Sequence, residues 1–179
     1  MAALFVDEYD FIYTPYNVPN QNESTSFQTY LAVKEEDILK ALMGWEFWAE
    51  FRAAIIGVSP AQKYIDIRDG AQYTYGGETF KYDGLNDFLV PAIWAHWQRD
   101  NAFKVTNIGV GINTKTDFTN LNPGNVISRA YNEFSRKVGN EYCYRNTFWG
   151  FMQANYATYT AWEAFEDFED PGTWNSFGI

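Results

Sequence analysis

The chain has 179 residues, of which 46% are hydrophobic and 20% aromatic, and its formal net charge is -10. Its length suits one domain with extensions at its ends. The acidic balance argues against a protein that wraps nucleic acid, because phosphate contacts need clustered Lys and Arg side chains. We expect neither a transmembrane helix nor a signal peptide, since no stretch has the hydrophobicity that either requires.

The N-terminal residues 1–32 show no sustained helical period and include the polar run NQNESTS. We interpret them as an arm, either a loosely packed terminus or an extension on a neighbouring subunit, with one short strand around Ala3–Val6.

The first long helix is predicted over 34–57, where apolar residues recur at three- and four-residue steps. Two apolar rows predict that most of its circumference is buried. The rows are Ile38, Leu42, Trp45 and Ala49, and Phe47, Phe51 and Ile55.

A short helix and a hairpin carry the clearest local signals. Ser59-Pro60 is typical of a helix start, and it predicts a short helix over 60–68 that ends at Asp69-Gly70. The sequence AQYTY-GG-ETFKY then predicts a β-hairpin over 71–82. The reason is that both glycines of a two-residue turn accept positive φ angles.

The sequence LNDFLVPAIWAHWQRDN predicts a helix over 85–101 that is apolar almost all round and therefore central. Pro91 lies within it, so that either the helix kinks there or its regular part begins near Val90. Residues 102–122 lack a regular pattern. They are predicted to form a long loop, and loops of this length are usually functional or mobile.

The C-terminal part combines a long helix with an acidic tail. Asn122-Pro123 predicts the start of a helix over 123–157, which Gly139-Asn140 is expected to bend. The tail, 159–179, has five acidic residues, no basic residue and several aromatic residues. A solvated tail has little need for so many rings, so we expect it to dock on its own domain or on a partner.

No residue set predicts catalysis, metal binding or a cofactor. His96, the only histidine, lies among tryptophans and is interpreted as a core histidine. Cys143, the only cysteine, cannot form an intrachain disulfide and is interpreted as a buried structural thiol. Carboxylate pairs such as Glu35/Glu36 are the minimum that a glycosidase needs, but in an acidic protein they are more typical of a solvated face.

Four stretches stand out by their content and order: GGETFKYDGL at 76–85, LVPAIWAHWQRD at 89–100, VTNIGVGI at 105–112 and ISRAYNEF at 127–134. In these stretches the chain resembles small phage proteins encoded near portal genes, especially in phages of Bacteroidetes hosts. Those proteins are similar in turn to the head-to-tail connector proteins (neck adaptors or head-completion proteins) of long-tailed phages. The resemblance covers residues 33–157. Pro91, the arm and the tail depart from the pattern.

The residue pattern predicts a mainly α fold, a helical bundle of three long helices and a short helix with one β-hairpin and extended terminal arms. Residues 33–158 form the predicted adaptor domain. The resemblance implies a virion protein of the phage neck, assembled in the host cytoplasm, with no catalysis, cofactor or membrane. It implies a homo-oligomeric ring, commonly dodecameric, between the portal protein and a tail or stopper protein, with DNA passing through the lumen without sequence-specific binding.

The hairpin, the loop 102–122 and the tail supply the candidate contact residues. Hairpin and loop are assigned to ring or portal contacts, and the tail aromatics to docking on a partner. The candidates are Tyr73, Tyr75, Phe80, Tyr82, Lys104, Lys115, Phe118, Trp162, Phe165, Phe168 and Trp174.

Two other function classes stay open. A phage carbohydrate-binding or host-recognition module is the main alternative, because exposed Trp and Tyr rings stack against sugars. Such modules are mostly β-sandwiches, however, whereas this sequence has one convincing hairpin and long helical periods. A small lytic or remodelling enzyme that uses a carboxylate pair is the third hypothesis.

Overall fold

Helices dominate the structure, a computed structural model that describes residues 3–11, 15–16, 24–101, 103–106, 109–112 and 123–162. Only the backbone is described for 24–26, 101, 103–106, 109–112 and 123–125. The predicted mainly α fold with a β-hairpin is confirmed. In chain order the elements are a 3-10 helix Glu8–Phe11, α1 Ser24–Met43, α2 Trp45–Ile56, α3 Gln62–Asp69, β1 Ala71–Tyr75, β2 Glu78–Tyr82, α4 Leu85–Asn101, β3 Phe103–Thr106, β4 Gly109–Ile112, α5 Pro123–Val138 and α6 Phe148–Ala154.

The single helix predicted over 34–57 is wrong in both its start and its continuity. α1 begins at Ser24, inside the segment that was interpreted as an arm, and ends at Met43. Gly44 separates it from α2, because its φ of 74° lies outside the helical region. Gly44 is also the N-cap of α2, and its carbonyl accepts a hydrogen bond from the backbone N–H of Trp48 at 3.0 Å.

The N-terminal segment 3–11 packs on α1 and α2 of its own chain, and the strand predicted around Ala3–Val6 is wrong. The backbone N–H groups of Leu4, Phe5 and Val6 donate to the carboxylate of Glu35 on α1, at 2.7, 3.0 and 2.9 Å. The Glu35 carboxylate thus accepts the backbone hydrogen bonds that a neighbouring strand would accept in a sheet. The charge of Glu35 also interrupts the buried stripe of α1, which is why the start of this helix had no clear sequence signal.

The end of α3 and the end of the hairpin approach each other closely at Gly70 and Gly84. The helix predicted over 60–68 is confirmed, but its N-cap is Ala61 rather than Ser59. The predicted hairpin is confirmed, with Gly76 and Gly77 in the turn. Gly84, which follows β2, has a φ of 92°, and a Cβ there would lie 2.7 Å from the Arg68 carbonyl oxygen. The glycine therefore allows the chain to pass close to the end of α3 on its way into α4.

α4 is the central helix, as predicted, and it contacts α1, α3 and α5. Residues 88–95 are all buried. Pro91 lies inside the helix, which runs from Leu85 to Asn101. The alternative that its regular part begins near Val90 is therefore wrong.

The predicted loop 102–122 contains a second hairpin. β3 and β4 pair in antiparallel register, with Phe103 opposite Ile112 and Thr106 opposite Gly109. Two glycines in a four-residue strand hid this pairing, since glycine is depleted in strands.

The final helix predicted over 123–157 is wrong, because the chain leaves the helical path after Val138. Gly139 has a φ of 76°, and residues 139–147 form a loop before α6 begins. A Cβ on Gly139 would lie 2.6 Å from the Cβ of Thr147, so the loop closes tightly on this glycine. The Thr147 side chain caps α6 by accepting a hydrogen bond from the Gly150 N–H at 3.1 Å. Gly139 therefore divides the helix, where only a bend was predicted.

Within the described residues, no helix combines the length and the apolar character needed to cross a lipid bilayer.

Candidate interaction surfaces

The register of the first hairpin decides which of its side chains a partner can reach. Tyr73 pairs with Phe80, and Tyr75 pairs with Glu78. Directly paired residues, and residues two apart on a strand, lie on the same face of a sheet. The four aromatic candidates Tyr73, Tyr75, Phe80 and Tyr82 therefore share one face, and this face packs against α6 and the loop before it.

Two of these four aromatic residues belong to the core. Tyr82 is 2% exposed and stacks on Phe151 of α6, with ring centroids 4.9 Å apart. Tyr73 is 5% exposed, and its hydroxyl donates to the Tyr144 carbonyl at 2.6 Å. Their assignment to a ring or portal contact is wrong, because the hairpin needs these rings to hold α6. The remaining two, Tyr75 and Phe80, are half-buried against Tyr144.

The opposite face of the hairpin is polar and exposed. It carries Gln72 and Thr74 on β1, and Thr79 and Lys81 on β2. The outer edge of β2 is partly covered, since the Lys81 N–H donates to the Asn146 side chain at 3.0 Å. This face is the part of the hairpin that is accessible to a partner, and it has the composition of a solvated surface rather than of an interface core.

The tail candidate Trp162 is also a core residue. Its side chain is fully buried, and its indole N–H donates to the Leu42 carbonyl near the end of α1, at 3.3 Å. The tail was predicted to dock on its own domain or on a partner, and Trp162 packs into its own domain. Trp162 therefore anchors the start of the tail and is not available to a partner.

The remaining candidate residues fall outside the described side chains. Lys104 lies in β3, of which only the backbone is described. The others lie beyond the described residues altogether; they are Lys115, Phe118, Phe165, Phe168 and Trp174.

Large apolar side chains are exposed where the sequence patterns did not predict them. Val58, between α2 and α3, is fully exposed, and its neighbour Ile56 is 60% exposed. Trp45, at the start of α2, is 67% exposed. Tyr142, in the loop after α5, is 87% exposed. Helical periodicity assigned Trp45 to a buried row, and the break at Gly44 is what turns it outward.

α5 has a buried face and an exposed basic face. Ala130, Phe134 and Val138 are buried, while Arg129 and Arg136 on the other side are exposed. The neighbouring Lys137 differs from these two arginines, because it forms salt bridges with Asp87 at 2.5 Å and Glu133 at 3.1 Å. α5 therefore combines packing with a positively charged surface in an otherwise acidic protein.

Two of the residues considered for chemistry occupy unexpected environments. Glu35, predicted on a solvated face, is 2% exposed. Burial raises its pKa, while the three backbone N–H donors act in the opposite direction. Cys143, predicted to be buried, is exposed. Both serve local structure, since Glu35 holds the N-terminal segment and the Cys143 N–H donates to the Asn140 side chain at 2.9 Å.

His96 lies half-buried between α4 and α5, with its ring 5.6 Å from that of Tyr131. Burial lowers its pKa to about 4, and the positive charges of Arg99 and Lys34 act in the same direction. The imidazole is therefore neutral at pH 7 and serves packing between the two helices. Among the described residues, no group of three or more His, Cys, Asp or Glu side chains is placed to hold a metal ion.

No protein-family model, curated protein or solved structure matches this chain. The resemblance to phage connector proteins therefore stays a prediction that depends on the motifs quoted above.

Proposed function

We propose that this protein is a structural subunit without enzymatic activity that assembles with copies of itself into a ring. We further propose that the ring is a neck adaptor of a bacteriophage, between the portal and a tail or stopper protein, with DNA passing through its lumen. The observation that carries the proposal is the exposure of large apolar side chains on separate elements of the domain. They include Trp45, Ile56, Val58 and Tyr142.

Exposed apolar side chains on several elements support assembly more than they support a single binding site. Exposed apolar surface marks interaction sites, and Trp and Tyr are typical anchors of protein interfaces. A subunit in a cyclic ring presents one patch to one neighbour and a different patch to the other. An adaptor needs further surfaces for the proteins above and below it. Separate exposed positions at the α2–α3 connection and in the loop after α5 suit this requirement.

The local structure of the quoted motifs also supports the proposal. GGETFKYDGL provides the turn, β2 and the link into α4, and LVPAIWAHWQRD provides most of the central helix. These are the parts of the fold that fix the hairpin against the bundle. The motifs on which the resemblance depends thus build the first hairpin's second strand and the central helix, rather than surface detail.

Light scattering of the purified full chain, alone and with its phage portal protein, tests the proposal. We expect a ring alone or on the portal, visible as a closed annulus by negative-stain electron microscopy. Ile56→Asn/Val58→Asn should weaken assembly at least tenfold, whereas Thr74→Asn/Thr79→Asn on the polar hairpin face should leave it unchanged. A strict monomer that never binds portal would contradict the proposal.

One observation favours the carbohydrate-binding alternative. The Trp45 ring is 67% exposed and therefore accessible for stacking, although the Lys40 ammonium lies 4.8 Å from its centroid. A glycan array separates the two functions. Specific sugar binding that Trp45→Ala abolishes would favour a carbohydrate-binding module, and no binding to any glycan would leave assembly as the better-supported function.

A further inference from the structure

The exposed face of α5 presents two arginines in a regular arrangement. Arg129 and Arg136 are both exposed and lie seven residues apart, which corresponds to about 10 Å along the helix axis. Ser128 and Asn132 are also exposed and have small polar side chains. The buried face of the same helix fixes this orientation, so the two guanidinium groups point away from the core.

These two arginines differ from most basic side chains of the protein. Lys40, Lys63, Arg68 and Arg145, for example, form salt bridges with carboxylates of the same chain. Among the residues that the structure describes, neither Arg129 nor Arg136 has a salt-bridge partner. The Glu133 carboxylate lies between them on the helix and interacts with the charge of Arg136, but its salt bridge is with Lys137. In a chain with a net charge of -10, two exposed arginines without a salt bridge among the described residues form a positively charged surface that suits an acidic ligand.

The same chain supplies a segment of matching chemistry. Residues 163–170, EAFEDFED, contain five acidic residues, two phenylalanines and no basic residue. Arginine binds carboxylates through two parallel hydrogen bonds, and its planar guanidinium stacks on aromatic rings. Carboxylates interleaved with phenylalanines therefore suit both binding modes of arginine. This segment directly follows Trp162 in the sequence, and Trp162 is buried in the domain.

We propose that the acidic segment 163–170 of one copy binds the Arg129/Arg136 face of α5 on a neighbouring copy. The inference rests on the proposed assembly into a ring and names one contact within it. A tail and a helix face are two different patches on the same chain, so one copy can offer its tail to the next and accept the tail of the previous one. That is the head-to-tail arrangement that a closed ring requires.

Charge reversal in the full chain tests this contact by light scattering at low ionic strength. One variant carries Arg129→Glu and Arg136→Glu and keeps its tail. The other keeps both arginines and carries Glu163→Gln, Glu166→Gln, Asp167→Asn, Glu169→Gln and Asp170→Asn. We expect each variant alone to assemble at least tenfold more weakly than the wild type. We expect their equimolar mixture to form a complex of one chain of each kind, at twice the 20.7 kDa monomer mass.

The mixture separates a contact between copies from one within a copy. Only a contact between copies is restored when the intact tail of one variant meets the intact arginines of the other. Lys81→Glu, which reverses an exposed cation that pairs with Asp83 on the hairpin, is the control for the change in net charge and should assemble like the wild type. Raising the salt concentration should weaken wild-type assembly, because exposed charge pairs are screened.

Three results would overturn the inference. If both variants assemble like the wild type, the contact is absent while the proposed ring stands. If both are weakened but the mixture restores nothing, the tail binds its own chain. If the wild type is monomeric yet still binds portal, the contact between copies is absent and the adaptor function stands.

Discussion

The first hairpin and α5 use their side chains in opposite ways. The hairpin is rich in aromatic residues, which are typical of interfaces, yet its aromatic face packs on α6 of the same chain. α5 is an amphipathic helix of ordinary composition, yet its outer face presents Arg129 and Arg136 without a salt-bridge partner in the described part of the chain. Residue type alone therefore does not separate core from interface. The face on which a residue lies decides this, and the face depends on register and on tertiary packing.

The strongest test of the hairpin side of this comparison is Tyr82→Ala. We expect the free energy of unfolding to fall by about 3–5 kcal/mol, because a fully buried ring is removed and its hydrogen bond to the Ile67 carbonyl is lost. Urea denaturation measures the change. Thr79→Ala on the exposed face is the control and should change stability by less than about 0.5 kcal/mol. Equal effects of the two changes would mean that the hairpin does not pack as described.

The packing of His96 on α4 against the inner face of α5 is tested by the pH dependence of stability. His96 has a folded-state pKa of about 4, below its ordinary value near 6.5, so the unfolded chain binds its proton first as the pH falls. Stability should therefore decrease from pH 6.5 towards pH 4, by up to about 3 kcal/mol. His96→Gln should flatten this dependence between pH 6.5 and pH 5, where few carboxylates titrate. An unchanged slope in the variant would show that the ring is not buried against Tyr131.

Glu35 sharpens the comparison, since it is a charged residue that lies in the core. Glu35→Gln removes a carboxylate that accepts from three backbone N–H groups, and we expect a loss of about 1–3 kcal/mol. Hydrogen exchange at Leu4, Phe5 and Val6 should accelerate at least tenfold. The neighbouring Glu36, which is half-buried and pairs with Lys40 at 2.7 Å, gives the control. Glu36→Gln should cost less than about 0.5 kcal/mol and leave these amides protected.

The smallest expected effect on stability belongs to the outer face of α5. Arg129→Ala and Arg136→Ala should each change the free energy of unfolding by less than about 0.5 kcal/mol, because both side chains are exposed and form no salt bridge with the described residues. Thermal denaturation of each variant checks this. A loss above about 1 kcal/mol would assign these arginines to the fold and remove them from the candidate surface.

The elements with strong local signals could be predicted from the sequence. The Gly-Gly turn defined the first hairpin, and the apolar run around Trp94 defined α4. What the sequence did not reveal depended on tertiary context. A buried Glu35 interrupted the stripe of α1, and single glycines at 44 and 139 ended helices whose apolar periods continue beyond them. Apolar periodicity indicates which residues prefer burial. A glycine with a positive φ angle changes the direction of the chain, so the residues after it no longer lie on the face that the period predicts.

The candidate site was less predictable than the fold for the same reason. Tyr73, Tyr82 and Trp162 are aromatic, a residue type common in interfaces, yet all three are buried in their own chain. The exposed Val58 lies outside any helical period and carried no signal. Arg129 and Arg136 stand in a sequence that looks like an ordinary solvated face. What distinguishes these two arginines is that they form no salt bridge with the described residues, and only the structure reveals this.

The mass of the full chain in solution, measured by multi-angle light scattering with and without its portal protein, tests the central claim most directly. The proposal predicts a single assembly of many copies, either alone or on the portal, that appears as a closed ring by negative-stain electron microscopy. A particle of 20.7 kDa at every concentration that leaves the portal unbound would contradict it.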